Sequence, residues 1–142
     1  MKIILAADHG GYPLKESVKA ALLEKGYEIV DLGTNSEESV DYPDFGKAAG
    51  EYVASGQAER GILVCGSGIG ISIAANKVHG IRCALVVSEE YAKLASEHNN
   101  ANMIALGGRF VSEEEAIRYI DIWLNTPFEE RHSVRVAKLD AM

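Results

Sequence analysis

The chain has 142 residues, 47% apolar and 25% charged, enough for one packed core without a disulfide or metal staple. Its 14 basic and 21 acidic residues leave a net charge of −7, which argues against nucleic acid or an acidic membrane surface but not against a small anion held by a few donors. Two cysteines inside apolar runs do not make a secreted disulfide framework, no run approaches the length of a membrane span, and the N-terminal apolar run is too short for a signal peptide, so a reducing cytoplasm is the expected location.

Short apolar runs alternate with segments of helical period along the whole chain. A strand over 3–7 precedes a helix over 13–25, whose apolar face carries Leu14, Val18, Ala21 and Leu22. Gly26 ends that helix, and 27–30 reads as a second strand before a polar loop. Pro43 suits the first turn of a helix over 42–55. A buried strand over 61–64, a glycine loop and a helix over 69–77 follow. A strand over 82–87 leads into a helix that Ser88 opens and that runs towards His98. The last strand covers 103–106. Ser112 and Glu115 then form a capping box before the stripe Ile117, Ile120, Trp123 and Leu124. Thr126-Pro127 breaks that helix, and a final one starts near 129. Five strands alternating with helices imply an α/β fold, a three-layer α/β/α sandwich on a five-stranded parallel sheet, in one domain over 1–142.

In such sheets ligands bind beyond the carboxyl ends of the strands. The first strand delivers Asp8-His9-Gly10-Gly11, and the third delivers Cys65-Gly66-Ser67-Gly68-Ile69-Gly70. Both pass through glycines into a helix N-terminus, which aims N–H groups at an anion. The spacing does not fit a dinucleotide fingerprint, because Ile71 stands where the third glycine is required. A tight turn with no ligand is the plainer reading of the glycines alone. Cys65 adds a thiol at the strand end, where N–H donors and the helix dipole favour a thiolate that serves as base or nucleophile. Cys83 lacks such surroundings and reads as core. His98 before Asn99 reads equally as a helix cap or a ligand. Arg131 and Arg135, at i and i+4, would share a helix face suited to phosphate or merely to solvent. His132 reads as surface, and Arg109 follows the fifth strand towards the same crevice.

Taken together, Asp8-His9-Gly10, Asp41-Tyr42-Pro43-Asp44, the run from Cys65 to Lys77, Gly80-Ile81-Arg82, His98-Asn99-Asn100-Ala101-Asn102, Arg109 and Arg131-His132 with Arg135 resemble ribose-5-phosphate isomerases of the B type. That wider family includes allose- and galactose-6-phosphate isomerases. The resemblance implies a Rossmann-like fold, a phosphorylated pentose substrate, no cofactor, and a homodimer, or a tetramer, whose active sites draw on both subunits. It implies Cys65 as the proton-transfer base, His98 assisting ring opening with Asp8 nearby, and Gly66, Ser67, Gly68, Ile69 and Gly70 holding the enediolate. His9, Arg131 and Arg135 would hold the phosphate, with Tyr42, Asn99 and Arg109 lining the site. No set of ligands has zinc spacing, so no metal is expected. Two departures stand out: Ser67 replaces the family's usual threonine, and Glu129-Glu130 replaces Gly-Gly before Arg131. A 6-phosphohexose isomerase and a non-catalytic sugar-phosphate-binding regulator are the other readings.

Overall fold

The computed structural model describes residues 1–142. In chain order it contains β1 (Lys2–Ala7), α1 (Tyr12–Glu24), β2 (Glu28–Asp31), α2 (Tyr42–Ala54), β3 (Arg60–Cys65) and α3 (Ile69–Asn76). It continues through β4 (Cys83–Leu85), α4 (Glu89–Glu97), β5 (Met103–Gly107) and α5 (Glu113–Asn125), and a 3-10 turn (Glu130–His132) leads into α6 (Ser133–Asp140). All neighbouring strands pair in parallel, in the order β2-β1-β3-β5-β4. This is the expected three-layer α/β sheet.

Successive strand residues point to opposite faces, so a sheet covered on both sides must be apolar at every position. Ile3, Leu5 and Ala7 of β1 pack with Leu14, Val18 and Leu22 of α1 and with Trp123 of α5. Ile4 and Ala6 face the other way, onto Ala49 and Val53 of α2 and Ile71 and Ala75 of α3. The Ser112–Glu115 capping box forms as expected, with both reciprocal bonds present. No helix is long and apolar enough to cross a membrane.

Two elements differ most from the sequence expectation. β4 has three residues where six were expected, because it lies at the sheet edge and pairs with β5 alone. Cys83, expected in the core, packs against it as a partly buried residue, and burial of its sulfur pushes the thiol up to about 12. The last helix starts at Ser133, after the 3-10 turn, and not near 129.

Lys15 ties α1 to the end of β2. Its side chain is 1% exposed, and its ammonium donates to both carboxylate oxygens of Asp31, at 2.7 and 2.6 Å. Burial opposes the charge on Asp31, but Lys15, the Gly33 N–H and Lys19 outweigh it and hold the carboxyl below its ordinary range. Removing one partner strands the other, so Asp31→Ala is expected to cost about 3–5 kcal/mol. The pair's contribution is complete above the ordinary carboxyl value of about 4 and drains away as pH falls through the lower folded value. Urea midpoints measured across that range should fall more steeply with acid in the parent than in Asp31→Asn. Equal slopes would contradict this.

Candidate active site

The chain runs from β1 outward to β2, then crosses back to place β3 on the other side of β1. That reversal makes the carboxyl ends of β1 and β3 the switch point of the sheet. The loops beyond β1, β3 and β5 are knit together there. Asp8 N–H donates to Val64 O at 3.2 Å, Gly108 N–H to Cys65 O at 2.8 Å, and Arg109 N–H to Gly66 O at 3.0 Å. The approach is so close that a Cβ on Gly11 would stand 2.2 Å from Val64 O. Between the loops lies a cleft of about 450 Å³. It brings together Asp8 and His9 after β1, the loop from Cys65 to Gly70, Arg109 after β5, and Tyr42 from the first turn of α2.

Cys65, 4% exposed, accepts a hydrogen bond at Sγ from the Gly68 N–H at 3.1 Å. Gly68 has φ +81°, and a Cβ there would lie 2.8 Å from the Leu106 carbonyl carbon, so only glycine turns this N–H onto the sulfur. The Ile69 N–H is likewise occupied, donating to Ser67 Oγ at 3.2 Å. The N–H groups of Gly66, Ser67 and Gly70 have no protein acceptor. The cradle expected from all five residues is thus narrower, with Gly68 serving the thiol and Ile69 serving Ser67. Three free donors at a helix N-terminus beside a thiol suit charge that develops on a substrate oxygen.

The flanking groups are also fixed. The Asp8 carboxylate, 7% exposed, accepts from the Gly11 N–H at 3.1 Å. His9 Nδ1 accepts from the Val40 N–H at 3.1 Å, which leaves Nε2 to carry the ring proton and donate. The Arg109 guanidinium lies against Gly66, 3.1 Å from where a Cβ would stand, and the Tyr42 ring covers Gly70 in the same way.

The remaining sequence-predicted residues lie elsewhere. α4 returns the chain to the amino ends of the strands, so His98 at its end and Asn99 beyond it sit before β5 rather than after it. β5 alone covers roughly 16 Å at about 3.3 Å per residue. Asn99 lines a separate cavity of about 630 Å³, with Arg82 and the ends of α3 and α6. His98 Nε2 is 3.6 Å from Glu97 Oε1. Arg131 and Arg135 do not share one α-helix, since Arg131 belongs to the 3-10 turn and Arg135 to α6. The Arg131 guanidinium binds the Glu129 carboxylate, and that bond holds Glu129 below the usual carboxylate range. His132, expected at the surface, is 8% exposed and packs on His98 with ring centroids 4.4 Å apart. A turn of about 3.0 residues, rather than 3.6, rotates it inward. No three His, Cys, Asp or Glu side chains converge as a metal site would require.

A thiol beside free N–H donors, flanked by His9 and Arg109 at the switch point of an α/β sheet, is an arrangement suited to a small anionic substrate. Comparison with known proteins makes this specific. The family model described as Ribose/Galactose Isomerase matches residues 3–139, and the chain belongs to that family and is an isomerase. The ribose-5-phosphate isomerase B of Escherichia coli (strain K12) is 46% identical over 143 residues, covering 99% of this chain and 95% of the relative. The Clostridium thermocellum ribose-5-phosphate isomerase B superposes with a TM-score of 0.97 at 49% identity, covering 99% of this chain and 96% of that one. The Mycoplasma genitalium ribose-5-phosphate isomerase B, solved with bound ribulose-5-phosphate, gives 0.94 at 41% identity, covering 99% and 94%.

Proposed function

We propose that this protein interconverts ribose 5-phosphate and ribulose 5-phosphate through an enediolate, acting as one domain over 1–142 in the cytoplasm without a cofactor. The observation that carries this is Cys65 Sγ held at 3.1 Å by the Gly68 N–H, beside three N–H groups that await an acceptor. After ring opening, the Cys65 thiolate takes the C2 proton of the aldose and returns it to C1. Charge passes to O1 and O2 of the enediolate, which the free N–H groups and the Ser67 hydroxyl receive. His9, Arg131 and Arg135 hold the phosphate, with Asp8, Tyr42, Asn99 and Arg109 around the sugar. His98 exchanges the proton with the ring oxygen.

One chain leaves His98, Asn99, Arg131 and Arg135 apart from the Cys65 cleft, so the reading requires a second copy. A two-fold homodimer, or a tetramer built from it, would complete each cleft with residues from the partner. Apolar surface beside both sets supports this. Ile69 and Ile73 of α3 are 53% and 55% exposed, and Val134 and Leu139 of α6 are 67% and 44% exposed.

The test is turnover of purified protein, with chelator present, on ribose 5-phosphate, allose 6-phosphate and galactose 6-phosphate. Highest kcat/KM on ribose 5-phosphate is expected. Because the family description covers both ribose and galactose isomerases, 6-phosphohexoses are the second substrate class, and turnover confined to them would overturn the pentose assignment. Glu129 gives a further expectation. It competes with the phosphate for Arg131, so Glu129→Gln should lower KM for ribose 5-phosphate about two- to fivefold, the scale of an exposed ion pair, with kcat unchanged. An unchanged or raised KM would contradict that competition.

A further inference from the structure

His132 is buried where an imidazole is a costly choice. Its side chain is nine-tenths covered, and Nε2 is shut off from solvent with no hydrogen-bond partner. A phenylalanine in this position would leave no polar atom stranded. The ring it covers belongs to His98, with centroids 4.4 Å apart and planes tilted by 40°. Otherwise His98 is loosely held. Its side chain is 38% exposed at the end of α4, and Glu97 is 3.6 Å away, too far for a hydrogen bond. The His132 ring is therefore the packed surface against which His98 takes its orientation.

We infer that His132 is a positioning residue for ring opening, its imidazole fixing the plane in which His98 meets the substrate's ring oxygen. This inference rests on the ring-opening role proposed for His98. The charge environment is consistent with a neutral spacer. Burial first, then Arg131 and His98, and more weakly Arg135, lower the His132 value below the ordinary imidazole range, against an opposing Glu129. The lowered value disfavours a third positive charge beside the two arginines.

Ribulose 5-phosphate allows the two halves of the reaction to be separated. With its 5-hydroxyl esterified it cannot close a furanose ring, so it enters the site as an open chain. Exchange of its C1 hydrogen with deuterium from solvent needs only the base and the enediolate donors. The proton leaves C1 to Cys65 and a deuteron returns to the same carbon, with no ring made or broken. Ribose 5-phosphate turnover needs ring opening as well.

His132→Leu removes the flat ring and its polar atoms while keeping a side chain of similar size. It is expected to slow ribose 5-phosphate turnover about ten- to a hundredfold, as misplacement of a reacting group does. C1 exchange in ribulose 5-phosphate and inhibition by inorganic phosphate should stay within about twofold of the parent, because neither uses ring opening. His132→Phe restores a ring and should recover most of the turnover, with a thermal midpoint no lower than the parent's. Parental turnover in His132→Leu overturns the positioning role, and so does an equal loss of turnover and exchange. His98→Asn is measured alongside, with loss of turnover and retained exchange expected. Full turnover in His98→Asn would instead overturn the ring-opening role itself.

Discussion

Cys65→Ser is expected to lower kcat for ribose 5-phosphate by about a thousandfold, the middle of the range that a positioned acid or base supplies. The substitution is nearly isosteric, and the serine hydroxyl can accept the Gly68 N–H that now meets Sγ at 3.1 Å. The fold and the three free N–H donors should therefore survive. What is lost is the thiol, since a serine hydroxyl does not serve as the base without a neighbour to deprotonate it. KM should move little, because the phosphate contacts proposed above lie on other residues. C1 exchange in ribulose 5-phosphate should fall together with turnover, unlike in the His98 and His132 variants. Cys83→Ala is the control: that thiol is pushed up to about 12 by burial and lies on the edge strand, away from the cleft. Cys65→Ser with activity within about tenfold of the parent would remove Cys65 as the base.

The parallel sheet was legible because burial on both faces forces unbroken apolar strands such as Ile3 to Ala7 and Ile62 to Cys65, and because glycines must mark close-packed strand ends. The glycine turn after β3 was legible for the same reason. Less visible was which N–H groups remain free, since that depends on Gly68 adopting φ +81° and turning its donor onto Cys65. β4 was overestimated because apolar residues over 82–87 record burial but not the absence of a second neighbouring strand.

His132 was missed for a different reason. Extending an α-helix back to 129 gives the wrong phase, and nothing in Glu-Glu-Arg-His marks a tighter turn. The separation of His98 from Cys65 carried a readable signal. A helix following a parallel strand must return the chain to the amino ends, so a residue at the end of α4 stands at the opposite edge from one at the end of β3. The sequence placed both near one substrate only through the family resemblance, and the proposed dimer is the arrangement that would reconcile the two.

That reconciliation is the central claim, and mixed oligomers test it directly. Cys65→Ala and His98→Asn chains, each nearly inactive on ribose 5-phosphate alone, are unfolded together and refolded at equal concentration. Random pairing makes half of the dimers mixed. In a mixed dimer one cleft receives both defects and the other receives an intact Cys65 and an intact His98. Activity should therefore return to about a quarter of the parental value, as two-fold sharing requires. A mixture no more active than its two components, under conditions in which refolded parent recovers fully, would show that each cleft is served by a single chain.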